Sequence, residues 1–135
     1  MADYFDNKRL TEVLEEYRLS LERWEANPID NPKPSFPQEL GKGILQIAEG
    51  VARRNGFKGY TFKRDMIGDG ILHCMKYWRN FNPAKGSLYS YLSQICFRAF
   101  IKRINAETKY VQRRNEIKTL ADHFGLTSED VKRAA

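Results

Sequence analysis

Two short stretches hold the residue types from which chemistry can be made. In "DMIGDGILHCMKYWRNF", Asp65 to Phe81, two carboxylates stand four residues apart, with Gly68 and Gly70 on either side of Asp69. On a helix that spacing puts Asp65 and Asp69 on one face. An internal glycine costs a helix about 1 kcal/mol relative to alanine, so this helix bears the cost twice, beside an acid, before a dense apolar and aromatic run. In "SLYSYLSQICFRAFIKRI", counting about 100° per residue brings Tyr91, Gln94, Arg98 and Lys102 onto a narrow arc. Lys109 and Arg113 join that arc if the helix continues. Arginine and lysine neutralise phosphates with little regard for sequence, glutamine and arginine hydrogen-bond base edges, and tyrosine stacks on an unpaired base. An aromatic next to cations therefore suits single-stranded or opened nucleic acid better than closed duplex. On these residues alone a solvated cationic face with Tyr91 at its edge is an equal alternative.

Other chemistry finds little support. His73, Cys74, Cys96 and His123 do not fall at zinc-ligand spacing. Cys74 and Cys96 each sit inside an apolar helical pattern, which points to reduced, packed thiols. There is no nucleophile–base pair, phosphate loop or metal-ligand set, so no catalytic residue, metal or cofactor is expected and the chain does not read as an enzyme. No apolar run approaches the ~20 residues of a membrane span, and the start, "MADYFDNKRL", lacks the basic-then-apolar order of a signal peptide.

The charge is unevenly placed. The net charge is +6, yet the segment up to Glu39 holds five basic and nine acidic residues, which leaves +10 for the remainder. Between Arg98 and Lys118 there are seven basic residues against two acids. Such asymmetry suggests a polyanion partner for the C-terminal half.

These residues must be positioned by helices. Leu10, Val13, Leu14, Tyr17, Leu21 and Trp24 recur at three- and four-residue steps, which predicts an amphipathic helix from about Lys8 to Ala26. "NPIDNPKPSFP" holds four of the five prolines and reads as an extended linker. A second helix is expected from about Gln38 to Asn55, with Leu40, Ile44, Ile47, Ala48 and Val51 on one side and Gly56 as its stop. After a turn at "FKGY", a third runs from near Thr61 to near Arg79. "FNPAKGS" breaks the chain, and Ser87 caps a fourth helix whose Leu88, Leu92, Cys96, Ala99 and Phe100 point to the core. "YVQRRNEIKTLADHFG" is helical up to Gly125, and Thr127 with Asp130 forms an imperfect capping box for a last short helix. No strand alternation or repeat is present. The expectation is an all-α, compact bundle of five to six helices: an N-terminal helix over 1–27, a linker over 28–37, a main domain over 38–115, and C-terminal helices over 116–135 that resemble a partial helix-turn-helix.

"RDMIGDGILHCMKYWRNFNPAKGSLYSYLSQICFRAFIKRI" resembles the core-binding and promoter-opening region, region 2, of the sigma-70 family of bacterial transcription initiation factors. The likeness spans roughly Leu40 to Lys109 and is nearest to the late-transcription sigma factors of T-even-like phages. "IAEGVARRNGFKGYT", "DMIGDGI", "NFN" and "YLSQICFRAFIKRI" carry it, in order and at matching spacing. The resemblance implies that Asp65, Gly68, Asp69, Leu72, Met75 and Lys76 dock on the basic coiled coil of the β′ clamp helices of host RNA polymerase core. The acids would form charge-assisted contacts and the glycines would permit close approach. It further implies that Tyr91 stacks on a flipped base of the opened −10 element and that Phe81 lines the same region. Arg98 would contact the upstream part of that element and Lys102 its phosphates. Lys85, Tyr89, Gln94, Lys109 and Arg113 complete the DNA-facing set.

The implied function is a sigma factor for phage late transcription, acting in the cytoplasm of the infected bacterial host on late promoter DNA, with the phage sliding clamp and a co-activator as further partners. Two features depart from the pattern. Gln94 and Ile95 stand where primary factors carry two adjacent tryptophans that wedge the bubble open, and "LADHFGLTSEDVKRAA" holds no counterpart of the acidic-hydrophobic tail by which related factors bind the clamp. A polymerase- or DNA-binding helical regulator that does not initiate is the alternative.

Overall fold

A computed structural model of the chain describes residues 5–54, 57 and 59–134. Every regular element among them is helical: α1 (Asn7–Ala26), α2 (Gln38–Ala52), α3 (Lys63–Tyr77), two single 3-10 turns (Trp78–Asn80 and Pro83–Lys85), α4 (Leu88–His123) and α5 (Ser128–Ala134). The all-α expectation holds, and no described helix is long and apolar enough to cross a membrane. The chain divides into two compact units, one running to Phe100 and the other beginning at Ile101. The division falls within α4, inside the 38–115 segment rather than at its end. The fourth and fifth helical stretches of the sequence are one 36-residue helix.

The first unit has a conventional apolar core. α1 contributes Leu10, Val13, Leu14, Tyr17 and Leu21. α2 contributes Leu40, Ile44, Ile47, Ala48 and Val51, the residues its periodicity selects. Met66 and Cys74 of α3 and Leu88, Leu92, Cys96 and Phe100 of α4 are fully enclosed. Each large apolar side chain buried in this way contributes on the order of 1.5–3 kcal/mol. α1 is thus part of the core and not an appendage. Two exposed ion pairs also tie it down, Arg9 to Glu39 at 3.0 Å and Arg79 to Glu25 at 2.5 Å.

The proline segment after α1 is extended, as its prolines require, and it is laid along the helix. The Tyr17 hydroxyl donates to the Pro34 carbonyl at 3.2 Å, the Trp24 indole donates to the Asn31 carbonyl at 2.8 Å, and Phe36 packs edge-on against Tyr17 and Trp78.

The ends of the helices follow their local chemistry. α2 stops at Ala52, and the expected stop at Gly56 lies outside the described residues. Ser87 caps α4, its Oγ accepting from the Ser90 N–H at 3.1 Å. Gly125, at φ +71°, ends the same helix. The Leu126 N–H reaches the Ala121 carbonyl at 2.8 Å and the Gly125 N–H reaches that of Asp122 at 3.2 Å, the paired bonds of a left-handed C-terminal cap. Thr127 and Asp130 then bond reciprocally, Asp130 N–H to Thr127 Oγ1 at 3.2 Å and Thr127 N–H to Asp130 Oδ2 at 2.9 Å. Aspartate fills the place that glutamate holds in most capping boxes, and the Thr127 bonds keep its carboxyl below the usual range.

Candidate functional site

The two glycines of α3 have opposite surroundings. A Cβ on Gly70 would meet Phe100 Cε1 at 2.8 Å and Cys96 Sγ at 3.2 Å, so α3 and α4 approach each other across a position that only glycine fits. A Cβ on Gly68 would meet nothing within 4 Å. Packing inside the molecule explains the first glycine and leaves the second without an internal reason.

Gly68 belongs to an outward edge of α3. Asp65 and Lys76 are exposed, Asp69 is half-buried, and two large apolar side chains stand in solvent beside them, Leu72 at 68% and Met75 at 40% exposure. The spacing of Asp65, Gly68, Asp69, Leu72, Met75 and Lys76 is that of one helical stripe. All six anticipated residues are thus gathered on one edge that the core does not use. Asp65 lies in the first turn of α3, where a carboxylate is favoured by the helix dipole. His73 Nδ1 lies 2.8 Å from the Asp69 carbonyl oxygen, and the Lys76 ammonium lies 5.4 Å from the centre of the Tyr77 ring.

Tyr91 stands where α3 ends and α4 begins. Its hydroxyl donates to the Tyr77 carbonyl at 2.7 Å, and its half-buried ring packs 5.4 Å from that of Phe81. Burial holds the phenol above its ordinary pKa. Phe81 requires a correction: it is only 3% exposed, and its ring supports Tyr91 from inside, so it does not itself face a ligand. Aromatic character alone does not distinguish a platform from its support. The Phe81 carbonyl accepts from Arg18 Nη2 of α1 at 2.7 Å, while Arg18 Nε is buried without a hydrogen-bond partner. Asn7 Oδ1 accepts from the Tyr89 N–H at 2.8 Å, and Phe5 packs edge-on against the Tyr89 ring. The N-terminal segment thus meets Tyr89 through Asn7 and Phe5, and reaches Tyr91 only by way of the Phe81 carbonyl that Arg18 holds.

Beyond Tyr91, Gln94 and Arg98 are exposed on the first unit's portion of α4. With Arg54, Ser93 and Phe97 they line a groove of about 290 Å³. Lys85 and Tyr89 are exposed near the N-terminal end of the same helix. Lys102, Lys109 and Arg113 belong to the second unit, where all three are exposed. Arg54, Ser93 and Phe97 were not among the residues picked out from the sequence. The basic pair Arg53–Arg54 at the end of α2 was the available signal for the first. Phe97 falls one residue off the cationic arc, and only the packing reveals that its ring stays open.

Cys74 and Cys96 are free thiols buried between α3 and α4, with their sulfurs 3.6 Å apart. The hydrogen bond between them and their burial push the Cys74 thiol far up, so the pair belongs to the core. No group of residues able to hold a metal ion occurs among the described residues. No protein-family model matches the sequence, and no curated protein matches it.

Proposed function

We propose that this protein is a sigma factor of the phage late-transcription type, which binds host RNA polymerase core and engages an opened −10-like promoter element. The observation that carries the reading is the outward edge of α3. A helix that leaves Leu72 and Met75 in solvent, places carboxylates at Asp65 and Asp69 on the same stripe, and keeps a glycine at Gly68 with no neighbour of its own is suited to a partner helix of basic character. On the segment's resemblance to sigma region 2, that partner would be the β′ clamp helices. Tyr91, braced by Phe81 and the Tyr77 carbonyl, supplies a fixed ring for an unpaired base, and Gln94 and Arg98 supply amide and cationic contacts. In this reading the protein positions strands and polymerase and performs no bond chemistry. The sliding clamp and a co-activator would compensate for the missing indole wedge.

Gln94 and Ile95 at the wedge positions favour a second reading, a regulator that binds polymerase or DNA without initiating. Core polymerase mixed with the protein and a supercoiled template bearing a late promoter separates the two. Specific transcripts are expected, whereas core binding with repression only would select the regulator. Asp69→Lys should abolish association with core while the circular dichroism spectrum stays unchanged. Association that survives this charge reversal would show that the docking edge is misplaced.

A further inference from the structure

We propose that Cys74 and Cys96 form a peroxide-oxidisable dithiol, which closes to a disulfide and staples α3 to α4. The modification goes beyond the polymerase reading and does not depend on it.

The two sulfurs lie 3.6 Å apart, on residues separated by 22 positions in the sequence. A disulfide brings its sulfurs to about 2.05 Å, so these two need close by only roughly 1.5 Å. The helices are already drawn together on either side of the pair. Gly70 lies one turn before Cys74 and Phe100 one turn after Cys96, and a Cβ on Gly70 would meet both Phe100 and Cys96. On the other side the Tyr77 carbonyl at the end of α3 accepts from the Tyr91 hydroxyl of α4. The thiols thus sit between two points at which α3 and α4 touch, and closure asks for side-chain rotation more than for movement of a helix. They are the chain's two cysteines and both lie in the first unit, so no third thiol competes within a molecule.

Neither sulfur is exposed, so the reaction waits on local parting of the helices and is slow. A Cys96 thiolate then attacks one oxygen of hydrogen peroxide. The O–O bond breaks, the S–O bond of a sulfenic acid forms, and the leaving hydroxide takes up the proton that Cys96 had lost, as water. The Cys74 sulfur attacks that of Cys96. The S–S bond forms, the S–O bond breaks, and hydroxide leaves with the Cys74 proton as a second water. Two thiols are oxidised and one peroxide is reduced. Cys96 acts first because the bond from Cys74 holds its thiol below the ordinary value, and the thiolate is the nucleophile.

The test exposes the full reduced chain to hydrogen peroxide under native conditions, then denatures it, alkylates it with iodoacetamide and analyses it by mass spectrometry. Both cysteines should escape alkylation, the chain should lose about 2 Da, and a peptide linked through Cys74 and Cys96 should appear. A ring of this length should raise the melting temperature by on the order of 10 °C, and dithiothreitol should reverse both changes. Cys74→Ala removes the resolving thiol, so a sulfenic acid on Cys96 should accumulate, be trapped by dimedone and bring no rise in melting temperature.

Two alkylatable thiols after exposure would overturn the proposal, as would a disulfide between two chains or one that forms only in urea. A linked peptide with an unchanged or lowered melting temperature would overturn the staple. The measurements on the parental chain decide the matter without the variant, and none of them involves polymerase or promoter.

Discussion

At the scale of single residues, the glycines of α3 show how one residue type answers two demands. Gly70 is required by the approach of Phe100 and Cys96. Gly70→Ala forces a methyl group into that contact, and overpacking of a filled core costs about 1–3 kcal/mol, more than the ~1 kcal/mol that alanine returns in helix propensity. Thermal unfolding should show a lower melting temperature. Gly68→Ala meets no neighbour, so it should raise stability by up to about 1 kcal/mol; under the proposed function it should also weaken association with core polymerase, because the methyl group would stand in the proposed docking edge. A variant that gains stability and keeps full association would remove Gly68 from the interface. The family resemblance implied close approach at the two glycines, and the structure shows one at Gly70. Which of them faces inward was not legible in the sequence, because a one-residue step in phase depends on where α4 lies. Phe81 was misread for the same reason: its place beneath Tyr91 is set by contacts between segments distant in sequence.

At the scale of elements, α1 is the piece whose role changes most between sequence and structure. Its apolar stripe was evident from spacing alone. What it covers was not, because the proline segment after it suggested a tether where the structure has a strap, fastened through Phe36, Pro34 and Asn31. Two arginine–carboxylate pairs fasten it further, and hydrogen bonds from Arg79 to Glu25 and from Arg9 to Glu39 hold both carboxyls below their ordinary value of 4.5. A carboxyl whose pKa is lowered by folding contributes stability that is complete above its unfolded value and is lost as pH falls through the folded one. The docking of α1 should therefore weaken below about pH 4.5. Glu25→Gln combined with Glu39→Gln should flatten the fall in melting temperature on the acid side and leave the pH dependence above neutrality unaltered. Both pairs are exposed, so the effect will be modest and will shrink with added salt. An acid limb as steep as that of the parent would show that other groups govern it.

At the scale of the whole molecule, the first unit has an enclosed core, whereas α4 beyond Phe100 is exposed along most of its length. Tyr110, Ile117 and Leu120 stand at 67%, 44% and 58% exposure, and Ala121 is the one buried residue of that stretch among the described residues. Helices in water draw most of their stability from tertiary packing. Hydrogen exchange should accordingly be far slower at amides 92–100 than at amides 109–118, within the same continuous helix. Equal protection along its length would mean that tertiary contacts, and not helical hydrogen bonds alone, hold the second unit.

The sequence by itself determined the helical class, the buried side of α2 and of the first turns of α4, and the caps at Ser87, Gly125 and Thr127. All of these depend on periodicity or on bonds between residues a few positions apart. Tertiary structure alone decided that two helical stretches fuse into α4, that Asn7 of α1 meets Tyr89 and Arg18 meets Phe81, that Phe81 lies inside, and that Arg54 and Phe97 share a groove with Arg98. Those outcomes depend on which segments meet across the core. Packing between distant segments sets that, and local spacing does not encode it.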